Sequence, residues 1–472
     1  MDFLHLNPYE KSRIPDKKIL LGSVLLSALY FSILTFSGFS AFSCAALFGL
    51  PLLLIFIFNT DIIIIGSILL LFVFVYVTYY QVVVLSAIPV GLSFIITYKG
   101  KIAKDVKSPI TIPLIFFLFT MVPSILNITD YHQWLHTIFN LVFMVIMLCI
   151  VGSYITKYSQ IKLYLIAFII ASVCNGLKVI YDGHSIERRV FGYAGVVYVD
   201  YACIAIAICL IIILFYRSIW TIPLMIAIVI LLISFLLTQT RNPLISLGAS
   251  FAFLIIFLFK NNVMFSISRK KLLLTCMLGM ALTILLFAIM NVVTPQAFGR
   301  INELFGSKSG HIANTVNISQ NTFFSRLLIW HTSIMAFTRH PFIGIGAYAF
   351  PFESYNYATI PNSLYRLFVQ DASPHVAYLA ALTETGIIGF IGFIMFLFTT
   401  TVMAIKSVKY SVSKQQKYYS LGILTVQIYI LVSMMLTDAW RWGQCGMLWS
   451  LVMGVSVANY KIIMREKIHF EN

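Results

Sequence analysis

One histidine and a set of arginines are the residues of this chain whose types and spacing suit chemistry. His375 stands in SPHVAYLAALTETGIIG, where a mixed polar segment gives way to an apolar block. Arg326, Arg339 and Arg366 precede it, and Trp330 lies one helical turn beyond Arg326. Arg188 and Arg189 are adjacent in DGHSIERRVFGYAGVVYVD, and Arg241 directly follows a long apolar block in LISFLLTQTRNP. A guanidinium is a permanent planar cation whose fork of donors matches phosphate and carboxylate oxygens. Each such charge-assisted bond contributes about 1.5–3 kcal/mol. His375 and Glu384 are the ionisable groups at the entrance of an apolar block, where such groups are functional candidates. Some of the arginines have a plain structural use instead, since Glu187, Glu303, Glu353, Asp371 and Asp438 lie in the same loops.

The elements that must position these groups are membrane helices. A chain of 472 residues that is 60% hydrophobic and 10% charged falls outside the composition of soluble proteins. Its apolar residues run in blocks of about 18–22, each enough to cross about 30 Å of hydrocarbon. Fourteen blocks are counted, near 19–38, 41–59, 62–80, 82–98, 109–128, 138–156, 163–181, 199–216, 220–240, 243–259, 272–293, 377–405, 418–437 and 444–460. The expected fold is all-α, a polytopic bundle of 12 to 14 transmembrane helices with one large outer loop. Its parts are an N-terminal bundle (1–293), the loop with amphipathic helices (294–376) and C-terminal transmembrane helices (377–472). No cleavable leader is read at the start, because the first eighteen residues are polar and basic and the first apolar block is long enough to span.

The net charge of +16 invites nucleic acid as a partner, but its distribution argues against that. With an inside N-terminus, alternate loops hold 22 of the 32 basic residues and 7 of the 16 acids. That is the positive-inside bias, and it makes the charge a matter of topology. Of the ten outer basic residues eight are arginine, whereas the inner ones are 18 lysines and 4 arginines. His132 and His136 have the spacing of two metal ligands on one helix face, but Tyr131 and Trp134 beside them fit an interfacial belt and no third ligand is evident. The seven cysteines lie in or beside apolar blocks, which suggests neither a disulfide framework nor a zinc site.

Within the loop, apolar spacing predicts a helix over 323–337 that Pro341 ends, and Gly344 and Gly346 permit a tight turn. Aromatics at 348, 350, 352, 355 and 357 suit either a segment lying on the membrane surface or core packing. Gly386, Gly389 and Gly392 recur every three residues, as on a helix that approaches a neighbour closely.

These residues resemble the bacterial O-antigen ligase family, which includes related polymerases and protein oligosaccharyltransferases. The resemblance rests on Arg326 and Trp330, then Pro341, Gly344 and Gly346, then His375 followed after ten residues by Gly386 and Gly389; Arg241 at the outer end of a span is similar too. Val376 departs from the pattern, which prefers Asn, Ser or Gln after the histidine. The resemblance implies a GT-C-like enzyme of the bacterial inner membrane with its site facing the periplasm. It implies an undecaprenyl-pyrophosphate-linked glycan as donor, and lipid A core or a growing glycan as acceptor among the membrane lipids. Transfer would be inverting, with no cofactor and no metal. In that scheme His375 is the general base or orients the acceptor, while Arg241, Arg326 and Arg189 or Arg188 grip the pyrophosphate. Glu384 tunes the histidine or holds a bundle contact. The rivals are a polymerase of the same superfamily and a transporter or flippase, and the latter predicts a repeat symmetry that the sequence lacks.

Overall fold

A computed structural model of the chain describes residues 108–127, 144–145, 148–149, 151–153, 155–183, 198–215, 221–238, 240, 242–260, 322–438 and 443–471. Among these residues the secondary structure is helical and no strand occurs. The elements are α1 (Thr111–Leu126), α2 (Tyr158–Asp182), α3 (Tyr198–Phe215), α4 (Thr221–Leu237) and α5 (Asn242–Lys260). Then follow α6 (Thr322–Arg339), the short α7 (Phe350–Glu353) running into a 3-10 turn (Ser354–Tyr357), and α8 (Asn362–Phe368). The chain ends with α9 (Ala377–Tyr410), α10 (Lys414–Leu436) and α11 (Gly443–Glu471).

Eight of the expected apolar blocks coincide with α1 to α5 and α9 to α11. The block at 138–156 is described only in part, and those at 19–38, 41–59, 62–80, 82–98 and 272–293 lie outside the described residues, as do His132 and His136. Among the described helices α2, α5, α9 and α10 are long and apolar enough to cross a membrane. The protein is therefore a helical membrane protein.

The bundle is built around α10. This helix packs on α3, α5, α9 and α11, and 72% of its most apolar window is buried. A surface helix shows one apolar stripe, whereas one surrounded by other helices is covered on all sides. Ser413 and Gln416 form a capping box that starts it cleanly. Polar groups inside the bundle link it to its neighbours: Gln427 Nε2 donates to Thr400 Oγ1 of α9 at 3.1 Å, and Ser420 Oγ accepts from Asn459 of α11 at 2.9 Å.

Residues 322–376 form a cap with a small core of its own, made by Ile329, Ala336, Ile345, Ala349, Phe350, Tyr365, Phe368 and Val369. The expected helix from 323 is present as α6 and lies against α9. The loop aromatics do not share one environment. Tyr348 and Phe350 are buried, whereas Phe352 and Tyr355 are 62% and 60% exposed.

One element differs in kind from the sequence reading. α9 is not a continuous span, because Gly386 adopts φ 63° and ψ −170° and breaks it. Residues 341–346 cross the break and satisfy its backbone groups. Ile345 N donates to Thr383 O (3.1 Å) and Gly346 N to Glu384 O (3.0 Å); Ile387 N donates to Pro341 O (2.8 Å) and Ile388 N to Phe342 O (3.3 Å). In an unbroken helix those four groups would bond one another. The Gly386–Gly392 run is thus only partly a packing stripe. Gly392 meets Thr120 and Phe117 of α1, and Gly389 lies against the Thr385 side chain.

Candidate active site

The end of α10 is where the candidate residues meet. Thr437 follows the helix in extended conformation, and its carbonyl accepts the N–H of Ala377, the first residue of α9, at 3.1 Å. That bond ties the two chain ends together and brings His375 beside Asp438. His375 Nδ1 lies 3.9 Å from Asp438 Oδ1, too long for a hydrogen bond but within ion-pair reach. The imidazole is 39% exposed and the carboxylate 2%, so the ring is open to the surface while the acid stays behind it. Ser373 Oγ lies 3.4 Å from the same ring nitrogen. A carboxylate on the Nδ1 side favours the tautomer with its proton there, leaving Nε2 as the acceptor.

His375 itself has φ 56°, in the left-handed region. Histidine enters that region more readily than most side chains, and such conformations collect at functional sites where surrounding contacts hold them. Trp330 supplies one of those contacts: its indole N–H donates to the carbonyl of Pro374 at 3.0 Å. Arg326, one turn earlier on α6, is half-buried and feels the Asp438 carboxylate. Burial pulls its pKa below the ordinary value and Asp438 pushes it back up. A guanidinium keeps its charge near neutrality in either case. His375 and Asp438 therefore face each other at the end of α10, and the Trp330–Pro374 bond keeps α6, with Arg326 within electrostatic reach of Asp438, on the same side. Replacing Trp330 with Phe keeps an aromatic side chain, smaller by the pyrrole ring, and removes the donor; it is expected to cost about 1 kcal/mol or more, read as thermal unfolding of the purified protein.

The remaining candidates are placed as follows. Glu384 is fully buried, its carboxylate accepts from the N–H groups of Tyr348 (3.0 Å) and Phe350 (3.4 Å), and its carbonyl accepts from Ser124 Oγ of α1 (2.8 Å). These bonds hold Tyr348, a bulky residue at φ 61°, and dock the turn of Gly344 and Gly346 on α1 and α9. Arg339 is exposed, donates to Asn356 O at 2.8 Å and lies over the Tyr357 ring. Arg366 is exposed on α8. Arg188, Arg189 and Arg241 lie outside the described residues.

The residue next after Arg241 and the first turn of α3 are fixed to α10. Asn242, next after Arg241, donates to Leu436 O at 3.3 Å. Asp200, in the first turn of α3, accepts from Tyr429 Oη (2.6 Å) and Ser433 Oγ (3.3 Å). Sequence reasoning gave Asp438 only the role of a possible arginine partner. The available signal was an acid closing an apolar block in SMMLTDAW.

Among the described residues no group of three or more His, Cys, Asp or Glu is arranged to hold a metal ion. Residues 226–394 match the family model described as O-antigen ligase. The match takes in Arg241, the cap, His375 and the break at Gly386, and stops short of Asp438. No curated protein matches the chain.

Proposed function

We propose that this chain, whose residues 226–394 match the O-antigen ligase family model, is a membrane glycosyltransferase that attaches a polyprenyl-pyrophosphate-linked glycan to an acceptor hydroxyl at the outer face of the membrane. The observation that carries the reading is His375 placed beside one buried carboxylate, Asp438, at the end of α10, with Arg326 within electrostatic reach of that acid.

In this reading the acceptor oxygen attacks the anomeric carbon as its proton passes to His375 Nε2. The bond between that carbon and the pyrophosphate oxygen breaks on the opposite face, so configuration inverts and the carrier pyrophosphate leaves. A pyrophosphate is a good leaving group without protonation, and what it needs is stabilisation of the charge that builds on it. Arg326 supplies fixed donors for that charge. Arg241 is proposed to join it, supported by the anchoring of its neighbour Asn242 on α10, and Arg188 or Arg189 is proposed to join it on the resemblance of their loop alone. Asp438 balances the imidazolium as it forms, as carboxylates do in hydrolase triads.

The ligase reading, with lipid A core as acceptor and the inner membrane as location, is preferred to polymerase because the matched family is described as O-antigen ligase. The test is transfer by purified protein from a polyprenyl-pyrophosphate donor, with lipid A core and with carrier-linked glycan offered separately. Product on lipid A core supports a ligase; extension of the carrier-linked glycan alone marks a polymerase, and no transfer to either sinks the reading. Because arginines hold the pyrophosphate, millimolar EDTA is expected to leave the initial rate unchanged. A rate restored by magnesium after EDTA treatment would overturn the metal-free scheme.

A further inference from the structure

The turn that crosses the α9 break carries two apolar side chains that the protein leaves uncovered. Phe342 is 68% exposed and Ile343 37%, although their backbones are pressed against Gly386. Beyond the break Ile387, Ile388 and Ile391 are exposed as well, at 37%, 40% and 46%. The exposed apolar surface of the turn thus continues that of a helix read as crossing the membrane.

Helix register says at what depth this happens. The inner end of α9 carries Lys406 and Lys409. About 20 residues at 1.5 Å each cover the roughly 30 Å of hydrocarbon. Counted back from Lys406, they end at the break itself. Residues 377–385 then rise out of the hydrocarbon, and the turn lies at its boundary. The residues just before the turn are polar: Arg339 and His340 are exposed and gather around the Tyr357 ring. A cation followed by an aromatic and an aliphatic side chain is the order in which headgroups give way to acyl chains.

We infer that the Phe342–Ile343 turn is inserted into the leaflet opposite Lys406 and Lys409 and moors the cap to the bilayer. The partner is bulk lipid, reached by burial of apolar side chains, and the inference does not depend on the transfer reaction. Through the four backbone bonds across the break, the mooring sets the height of the cap and of α6 above the membrane.

The test uses the full chain in phospholipid nanodiscs with p-azidophenylalanine placed at Phe342, a near-isosteric replacement. The same group at Ile391 reports a lipid-facing site, and at the exposed Gln370 a water-facing one. Photolysis at 342 is expected to give a covalent phospholipid adduct by mass spectrometry, as at 391, with loss of that adduct at 370. A profile at 342 like that at 370 would overturn the inference, and so would an adduct confined to protein. As a second measurement, Phe342→Ser with Ile343→Ser is expected to leave the protein folded and to increase protease cleavage of the cap in nanodiscs. Unchanged cleavage would count against the mooring.

Discussion

Alanine at His375 is expected to lower glycan transfer by about 10²–10⁴-fold, the range of a lost general base. The fall should appear in kcat and not in donor KM, because the imidazole acts on the acceptor proton and the arginines hold the donor. Alanine also loses a residue suited to φ 56°, so a fold defect must be separated from a chemical one. His375→Asn does this, since asparagine tolerates left-handed backbone and has no basic nitrogen. Both variants should be equally inactive, with the Asn protein retaining the parental melting temperature. Asp438→Asn should lower kcat as well, by up to about 10⁴-fold, because the ring remains while its tautomer and charge balance are lost. Arg326→Lys keeps the charge but not the fork and should weaken donor binding. Full activity in His375→Asn would remove the proposed base, whatever the other variants do.

The parts of this site that were legible in the sequence are those whose partners lie close along the chain. Arg326 and Trp330 sit one turn apart on a helix with apolar spacing, and Pro341 and the Gly-x-Gly turn follow at once. His375 stands out as an ionisable group at the mouth of an apolar block. What was not legible depends on the return of distant segments. Asp438 is 63 positions beyond His375, and its meaning comes from the Ala377–Thr437 bond, which no periodicity reveals. Glu384 was open between tuning the histidine and a bundle contact; in the structure its carboxylate accepts from backbone donors of the cap turn. The aromatics at 348–357 share one composition yet split between interior and surface. Tyr348 and Phe350 face inward where their N–H groups meet the Glu384 carboxylate, whereas Phe352 and Tyr355 lie farther along the short helix and the 3-10 turn after it.

Gly386→Ala is expected to be among the most destabilising single substitutions in the described part of the chain. Sequence alone makes it a mild change, a glycine in a helix giving way to a better helix former, worth about 1 kcal/mol of gain. The structure reverses the sign. At φ 63° and ψ −170° the residue occupies backbone space reserved for glycine, and another side chain there costs about 1–3 kcal/mol. A Cβ would also lie 2.3 Å from the carbonyl carbon and oxygen of Phe342 and 2.6 Å from the nitrogen of Ile343. These are backbone atoms held by hydrogen bonds, so no side chain can swing away. Relief requires the 341–346 segment to leave the break, exposing the four backbone groups it satisfies. Gly344→Ala meets the same wall from the other side, 2.3 Å from the carbonyl carbon of Glu384. Each change should therefore cost about 3 kcal/mol or more, and the double variant clearly less than twice that, because both release one crossing. Gly422→Ala is the contrasting case, since a Cβ there would meet only Ile211 Cγ2, at 3.9 Å, and it carries no positive φ. Thermal unfolding of the four proteins in one detergent decides the matter. If Gly386→Ala melts with the parent while Gly344→Ala does not, the crossing is not a single cooperative unit. If both melt with the parent, α9 is unbroken in the protein and the cap must be held some other way.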